Sequence, residues 1–287
     1  MNSLTAAYLA IALSVALHVG WNLMARHARR ECDPLWWALA GHTALFGPWA
    51  LHGLFTQAAW SMELATMLTI SASANTVYFI ALRRAYRQAS VALVYPLARS
   101  SPLLIALWAW LLFEVETGPL GWLGLAVGSA GLAWLAWSGR AGDARHALPW
   151  AGLAALMTSV YSLSDKTAAP ALPGFAALMG FLSTGYLLSL LALSIMRRQS
   201  EGRWTPPCAP RPLILLGGSL AIGNAYALVI GAMRELPAAQ VVSLTNLGIV
   251  IASLLSIAAF GERAAWRTRL AAAMVVTAGI VMVQWGG

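Results

Sequence analysis

Charge is scarce in this sequence. Asp, Glu, Lys and Arg make up only 10% of its 287 residues, where a soluble domain carries about 25%. With 60% hydrophobic residues and a mean hydropathy of +0.70, too little polar surface is left to cover a globule in water. A bilayer is the natural solvent. Acids are scarcer still. The ten are Glu31, Asp33, Glu63, Glu114, Glu116, Asp143, Asp165, Glu201, Glu235 and Glu262. Each falls in a predicted loop or at a helix end, so none offers itself as a counter-ion in mid-membrane. Cysteine is limited to Cys32 and Cys208, which have no metal-ligand spacing and alone establish no disulfide. The histidines, His18, His27, His42, His52 and His146, are scattered. That argues against a membrane enzyme with a clustered acid or metal site, and no metal, cofactor or catalytic residue is expected. No Lys or Arg precedes the first apolar run, so that run does not read as a secretory signal.

Long apolar runs are abundant. A helix needs about 20 apolar residues to cross the hydrocarbon core, and ten such spans are expected: 4–25, 34–55, 62–82, 89–113, 117–138, 147–167, 172–196, 211–232, 237–260 and 263–285. Connections are short, the longest being "RRQSEGRWTPPCAP" near 197–210. The formal charge is +8. In a soluble protein that would suggest nucleic acid, but here the arginines flank apolar runs and read as topology signals instead. The odd-numbered connections hold Arg26, Arg29, Arg30, Arg83, Arg84, Arg87, Arg140, Arg145, Arg197, Arg198, Arg203, Arg211, Arg263, Arg267 and Arg269. The even-numbered ones hold only Lys166 and Arg234. The positive-inside rule puts the odd connections in the cytoplasm and both termini outside. The two cysteines then fall on the reducing side, as expected of thiols without partners.

The chain also repeats itself. "LRRAYRQASVALVYPLARSSPLLIALWAWLLFE" (82–114) aligns with "IGAMRELPAAQVVSLTNLGIVIASLLSIAAFGE" (230–262), with Arg87 and Arg234 matched at an offset of 147. "HVGWNLMAR" (18–26) aligns with "TSVYSLSDK" (158–166) at an offset of 140. Two halves of five spans follow, 1–140 and 141–287. Five is odd, so the second half enters the membrane inverted. Inverted repeats mark secondary transporters that bind substrate near the midplane.

These stretches resemble the drug/metabolite transporter superfamily, in its ten-helix form with two EamA-type domains. The resemblance covers nearly the whole chain and is most specific in "ALRRAYRQASVALVYPLARSSPLLIALWAWLLFE" and "AAFGE". It implies an all-α inner-membrane protein, monomeric or homodimeric, with a central cavity lined by spans 1, 3, 4, 6, 8 and 9. The implied function is alternating-access transport of a small anionic or zwitterionic metabolite, amino-acid- or phosphonate-like. The coupling ion is left open, with a proton among the candidates. Export of cationic or hydrophobic drugs and flipping of a lipid carrier are the alternatives; span 1 lacks the acid that small cation exporters of the superfamily use. Two departures stand out. Better-known members have cytoplasmic termini, and where relatives carry a charged pair in span 9 this chain reads "SLTNLG" (243–248).

Arg99 sits inside the apolar run from Ala89 to Phe113, flanked by Pro96 and Pro102. A charge there costs about 2.5–3.5 kcal/mol at a helix centre on insertion scales. Two readings of it stand. In one, Arg99 donates to carbonyls freed by the prolines and to nearby hydroxyls, a structural role. In the other, it faces a wet cavity and holds a carboxylate or phosphonate with its forked donors. Tyr95 lies one turn earlier on the same face, and Asn246 is the repeat counterpart of Arg99, expected across the cavity. His18, Trp21 and Asn22 in span 1, with Tyr161 as second-half counterpart, complete the expected binding wall. Asn75 and Tyr78 in span 3 and Asn224 in span 8 are weaker candidates. Each has a bland alternative: interfacial anchoring for Trp21, interhelical hydrogen bonding for His18 and Asn246. Gly121, Gly124, Gly128 and Gly131 read as a close-packing helix face.

Overall fold

The computed structural model describes residues 2–25, 29–138, 143–258 and 265–286. Every regular element among them is helical. In chain order these are α1 (Ser3–Ala25), α2 (Pro34–Gln57), α3 (Met62–Gln88), α4 (Val91–Ala98), α5 (Pro102–Phe113), α6 (Pro119–Ser138), α7 (Ala144–Ala168), α8 (Phe175–Glu201), α9 (Pro212–Ala232), α10 (Ala238–Thr245), α11 (Leu247–Ala258) and α12 (Trp266–Gly286). Taking α4 with α5 and α10 with α11, eight stretches of the described residues are long and apolar enough to cross a membrane. α2 and α7 have the length, at 24 and 25 residues, but not the apolarity. His42, His52 and Pro48 dilute the first, and Thr158, Ser159, Ser162, Ser164 and Asp165 the second.

Two expected spans are not single helices. Pro102 opens α5 with no N–H to give the carbonyl of Ala98, so the helix stops at Arg99 and restarts after Ser101. The second break has no proline. There the Asn246 N–H bonds to the Ser243 carbonyl at 3.0 Å, a tightened turn that ends α10 before α11 begins. α3 runs six residues beyond its expected end, so Arg83, Arg84 and Arg87 ride on its last turns, and the Arg84 guanidinium lies 4.5 Å above the Trp150 ring. Arg26, His27, Arg140, Glu262 and Arg263 lie outside the described residues.

The chain divides into two compact units, Met1–Thr76 with Ser164–Glu235 and Val77–Leu163 with Leu236–Gly287. In the first, α2 packs along α8, and α9 packs on α1 and α2. Small residues set the approach: a Cβ on Gly53 would meet Ala176, one on Gly180 would meet the Ala50 carbonyl, and one on Gly223 would strike the His42 ring. In the second unit the main seam joins α6 to α12. A Cβ on Gly124 would lie 2.7 Å from the Val283 nitrogen, and one on Gly131 2.8 Å from the Val276 nitrogen. The glycine face is a close-packing surface, as its spacing predicts. Leu132, Leu135, Ile249, Val250, Ala272, Ala273, Val276 and Ile280 form the adjoining core.

The expectation of two unpartnered thiols is overturned: Cys32 and Cys208 form a disulfide, 176 residues apart in sequence. The packing of α2 on α8 brings them together. Asp33 at the N-cap of α2 pairs with Arg197 on α8 at 2.6 Å, and Arg197 also pairs with Glu201. Trp37 Nε1 donates to the Cys208 carbonyl at 2.9 Å.

Candidate functional site

The helix breaks in the second unit meet. Asn246 Nδ2 donates to the Arg99 carbonyl at 3.1 Å, and Arg99 Nη2 donates to Thr245 Oγ1 at 2.8 Å. Thr245 in turn donates to the Val242 carbonyl at 2.7 Å. The two positions that the sequence repeat matches, 147 residues apart, are therefore in direct contact, not across a cavity. A broken helix leaves carbonyls without intrahelical donors, and Asn246 serves one of them. Two further polar atoms are buried at the breaks with no hydrogen-bond partner among the described residues, Ser101 Oγ and Asn246 Oδ1. A crevice beside them is lined by Pro102, Ser129, Ser243 and Asn246.

Arg99 itself is half-buried. Its guanidinium carbon lies 6.0 Å from the centre of the Tyr95 ring, at the outer limit of a cation–π contact. Tyr78 and Tyr161 meet edge-to-face at 5.7 Å, and the Arg99 charge acts on Tyr78 and Tyr86. Five of the expected site residues, Arg99, Tyr95, Asn246, Tyr78 and Tyr161, thus belong to the second unit. Chemically, the arrangement offers a planar cation, several aromatic faces and amide and hydroxyl oxygens.

The remaining five belong to the first unit and are engaged differently. His18 Nδ1 contacts the Ser14 carbonyl one turn back at 2.9 Å. Trp21 packs its ring on Gly218 of α9, and Asn22 is half-buried beside it. Asn75 Oδ1 accepts from Ser189 Oγ of α8 at 3.3 Å. Asn224 Nδ2 turns back to the Leu220 carbonyl of its own helix.

Sequence reasoning missed two features. Thr245, the hydroxyl that receives Arg99, is one residue from a position the repeat had marked. Asp165 lies one turn from the end of α7 but is 1% exposed, bonded to Ser71 and Tyr226. The signal was present in "YSLSDK", where Asp165 is the sole acid in a stretch the repeat had singled out. Outside the spans, Asp143 at the start of α7 has its carboxyl held below the ordinary range by hydrogen bonds from the His146 ring and backbone.

Eight stretches of membrane-crossing length and apolarity among the described residues define the class, a multi-pass membrane protein. Residues 146–284 match the EamA-like transporter family, which lies within the drug/metabolite transporter superfamily. A solved crystal structure, described only as that of a protein, superposes with a TM-score of 0.73 over 98% of both chains at 19% identity. That likeness speaks to the fold alone. No curated protein matches the sequence.

Proposed function

We propose that the protein is a secondary transporter of the inner membrane that moves a small anionic or zwitterionic metabolite by alternating access, with Arg99 holding the substrate's acidic group. One observation carries this reading: two helix breaks at repeat-matched positions meet, and one of them bears a half-buried guanidinium. Broken helices at membrane depth are tolerated where they are buried in protein or line a cavity, and in transporters they line binding sites. Tyr95, Tyr78 and Tyr161, in the same unit, shape the wall.

The same reading takes the chain as ten spans in two inverted repeats, 1–140 and 141–287. Packing of repeat mates supports it, since α2 lies on α8 and α6 on α12. The arginine bias supports cytoplasmic odd connections and both ends of the chain outside. The two even-side cations, moreover, are tied to backbone: Lys166 Nζ donates to the Met233 carbonyl and Arg234 to the Leu172 carbonyl. Phosphatase fused after Gly287 should then be active, and a cytoplasmic reporter there silent.

The substrate class is tested by thermal shift on purified protein with alanine, methylphosphonate and tetraphenylphosphonium. A ligand at 100 times its Kd adds about 2.7 kcal/mol of apparent stability. A rise with alanine or methylphosphonate, lost in Arg99→Gln, is the expected result. A rise with the lipophilic cation alone would instead establish the drug-export alternative.

A further inference from the structure

The anion site at Arg99 leaves one buried acid unused. Asp165 on α7 accepts hydrogen bonds on both carboxyl oxygens, Oδ1 from Ser71 Oγ of α3 at 2.5 Å and Oδ2 from the Tyr226 hydroxyl of α9 at 2.5 Å. Both partners are neutral. Lys166, the next residue, turns its ammonium to the Met233 carbonyl, and the acid acting on it is Glu235. One turn further along α3, Asn75 is taken by Ser189. The groups facing the carboxyl from the elements packed on it are thus Ser71 and Tyr226, and among the described residues no cation compensates it. Nor is there among them any group of three or more His, Cys, Asp or Glu that could hold a metal ion.

A carboxylate removed from water without a cation is costly, and the usual resolution is to take up a proton. The partners suit both charge states. A hydroxyl both donates and accepts, so Ser71 and Tyr226 can donate to the carboxylate and one of them can accept from the carboxylic acid. A fixed cation would leave no need for such reversible partners. Tyr226, whose hydroxyl bonds the carboxyl, is only half-buried. We propose that Asp165 is a proton-binding site and, resting on the transporter reading above, that it carries the coupling proton. The proton comes from water, adds to a carboxyl oxygen and neutralises the charge, and it returns to water when the carboxyl ionises. Each step changes which way Ser71 and Tyr226 donate, and so changes the grip of α7 on α3 and α9.

Two arms test this on the full-length protein. In the first, infrared difference spectra are taken across a pH series. Wild type should show the carbonyl stretch of a protonated carboxylic acid that bleaches on raising the pH. The stretch should be missing in Asp165→Asn, return at a changed position in Asp165→Glu, and shift in Tyr226→Phe. A band that is the same in wild type and Asp165→Asn would overturn the proposal. Should the asparagine variant not fold, the glutamate variant decides, and an unmoved band would overturn it. In the second arm, proteoliposomes take up radiolabelled alanine or methylphosphonate with and without an inward proton gradient. Wild type should be accelerated several-fold by the gradient. Asp165→Asn should exchange substrate but ignore the gradient, and a variant that responds as wild type does would reject the coupling role. Absence of uptake by wild type would count against the transporter reading, while the infrared arm still decides the proton site.

Discussion

Arg99 is held at its backbone by Asn246 and at its guanidinium by Thr245, so the two ends of one residue report on different roles. Arg99→Gln should keep the fold, because Asn246 still bonds to the backbone carbonyl, and should abolish binding of the acidic substrate. Arg99→Lys should keep part of it, since a compact ammonium replaces a planar fork. Asn246→Leu removes the donor from a buried carbonyl, which costs about 1–3 kcal/mol. It should lower the melting temperature before it touches affinity, and measuring both on one sample separates the two. A stable Arg99→Gln protein with unchanged affinity would reject the assignment. At the start of α7 the depressed Asp143 carboxyl contributes order at neutral pH that is lost as the pH falls through its lowered folded value. The protection of the His146 amide, measured as its exchange rate relative to the intrinsic rate at each pH, should therefore fall in acid. Part of this was legible in the chain: although both spans were expected as single helices, Arg99 stood out as a lone arginine between prolines, and the repeat marked Asn246. Their direct contact was not legible, because an offset matches positions and says nothing of the distance between them. The burial of Asp165 was hidden for a related reason. Its place near a helix end reads as exposed until α3 and α9 are seen to cover it.

Among the elements, the α6–α12 seam makes the sharpest demand on sequence. Gly124→Val should destabilise by about 1–3 kcal/mol or more through overpacking, because the atoms it would meet are backbone and cannot turn aside. Gly152 in α7 has open space where a Cβ would go. Gly152→Ala should be neutral or stabilise by about 0.5–1 kcal/mol, and parallel thermal melts of the two variants provide the contrast. Glycine spacing made the seam readable in advance. The disulfide was not readable, since two cysteines far apart in sequence meet only after α2 and α8 have paired. Cys32→Ser, Cys208→Ser and the double variant should each lose the same stability under oxidising conditions, and none should lose any under reductant.

On the scale of the whole molecule, the boundary seen in the sequence and the boundary seen in space do not coincide. The sequence offsets place a division near residue 140, whereas one compact unit joins Met1–Thr76 to Ser164–Glu235 and the other joins Val77–Leu163, which straddles that point, to Leu236–Gly287. Neither half of the sequence therefore contains a complete core. A gene cut between the codons for Ser138 and Asp143 should yield two fragments that are degraded when made singly. Expressed together, they should accumulate, co-purify through a tag on one of them and melt as a single species. The peptide bond joining the halves would then be dispensable, and the company of the other half indispensable.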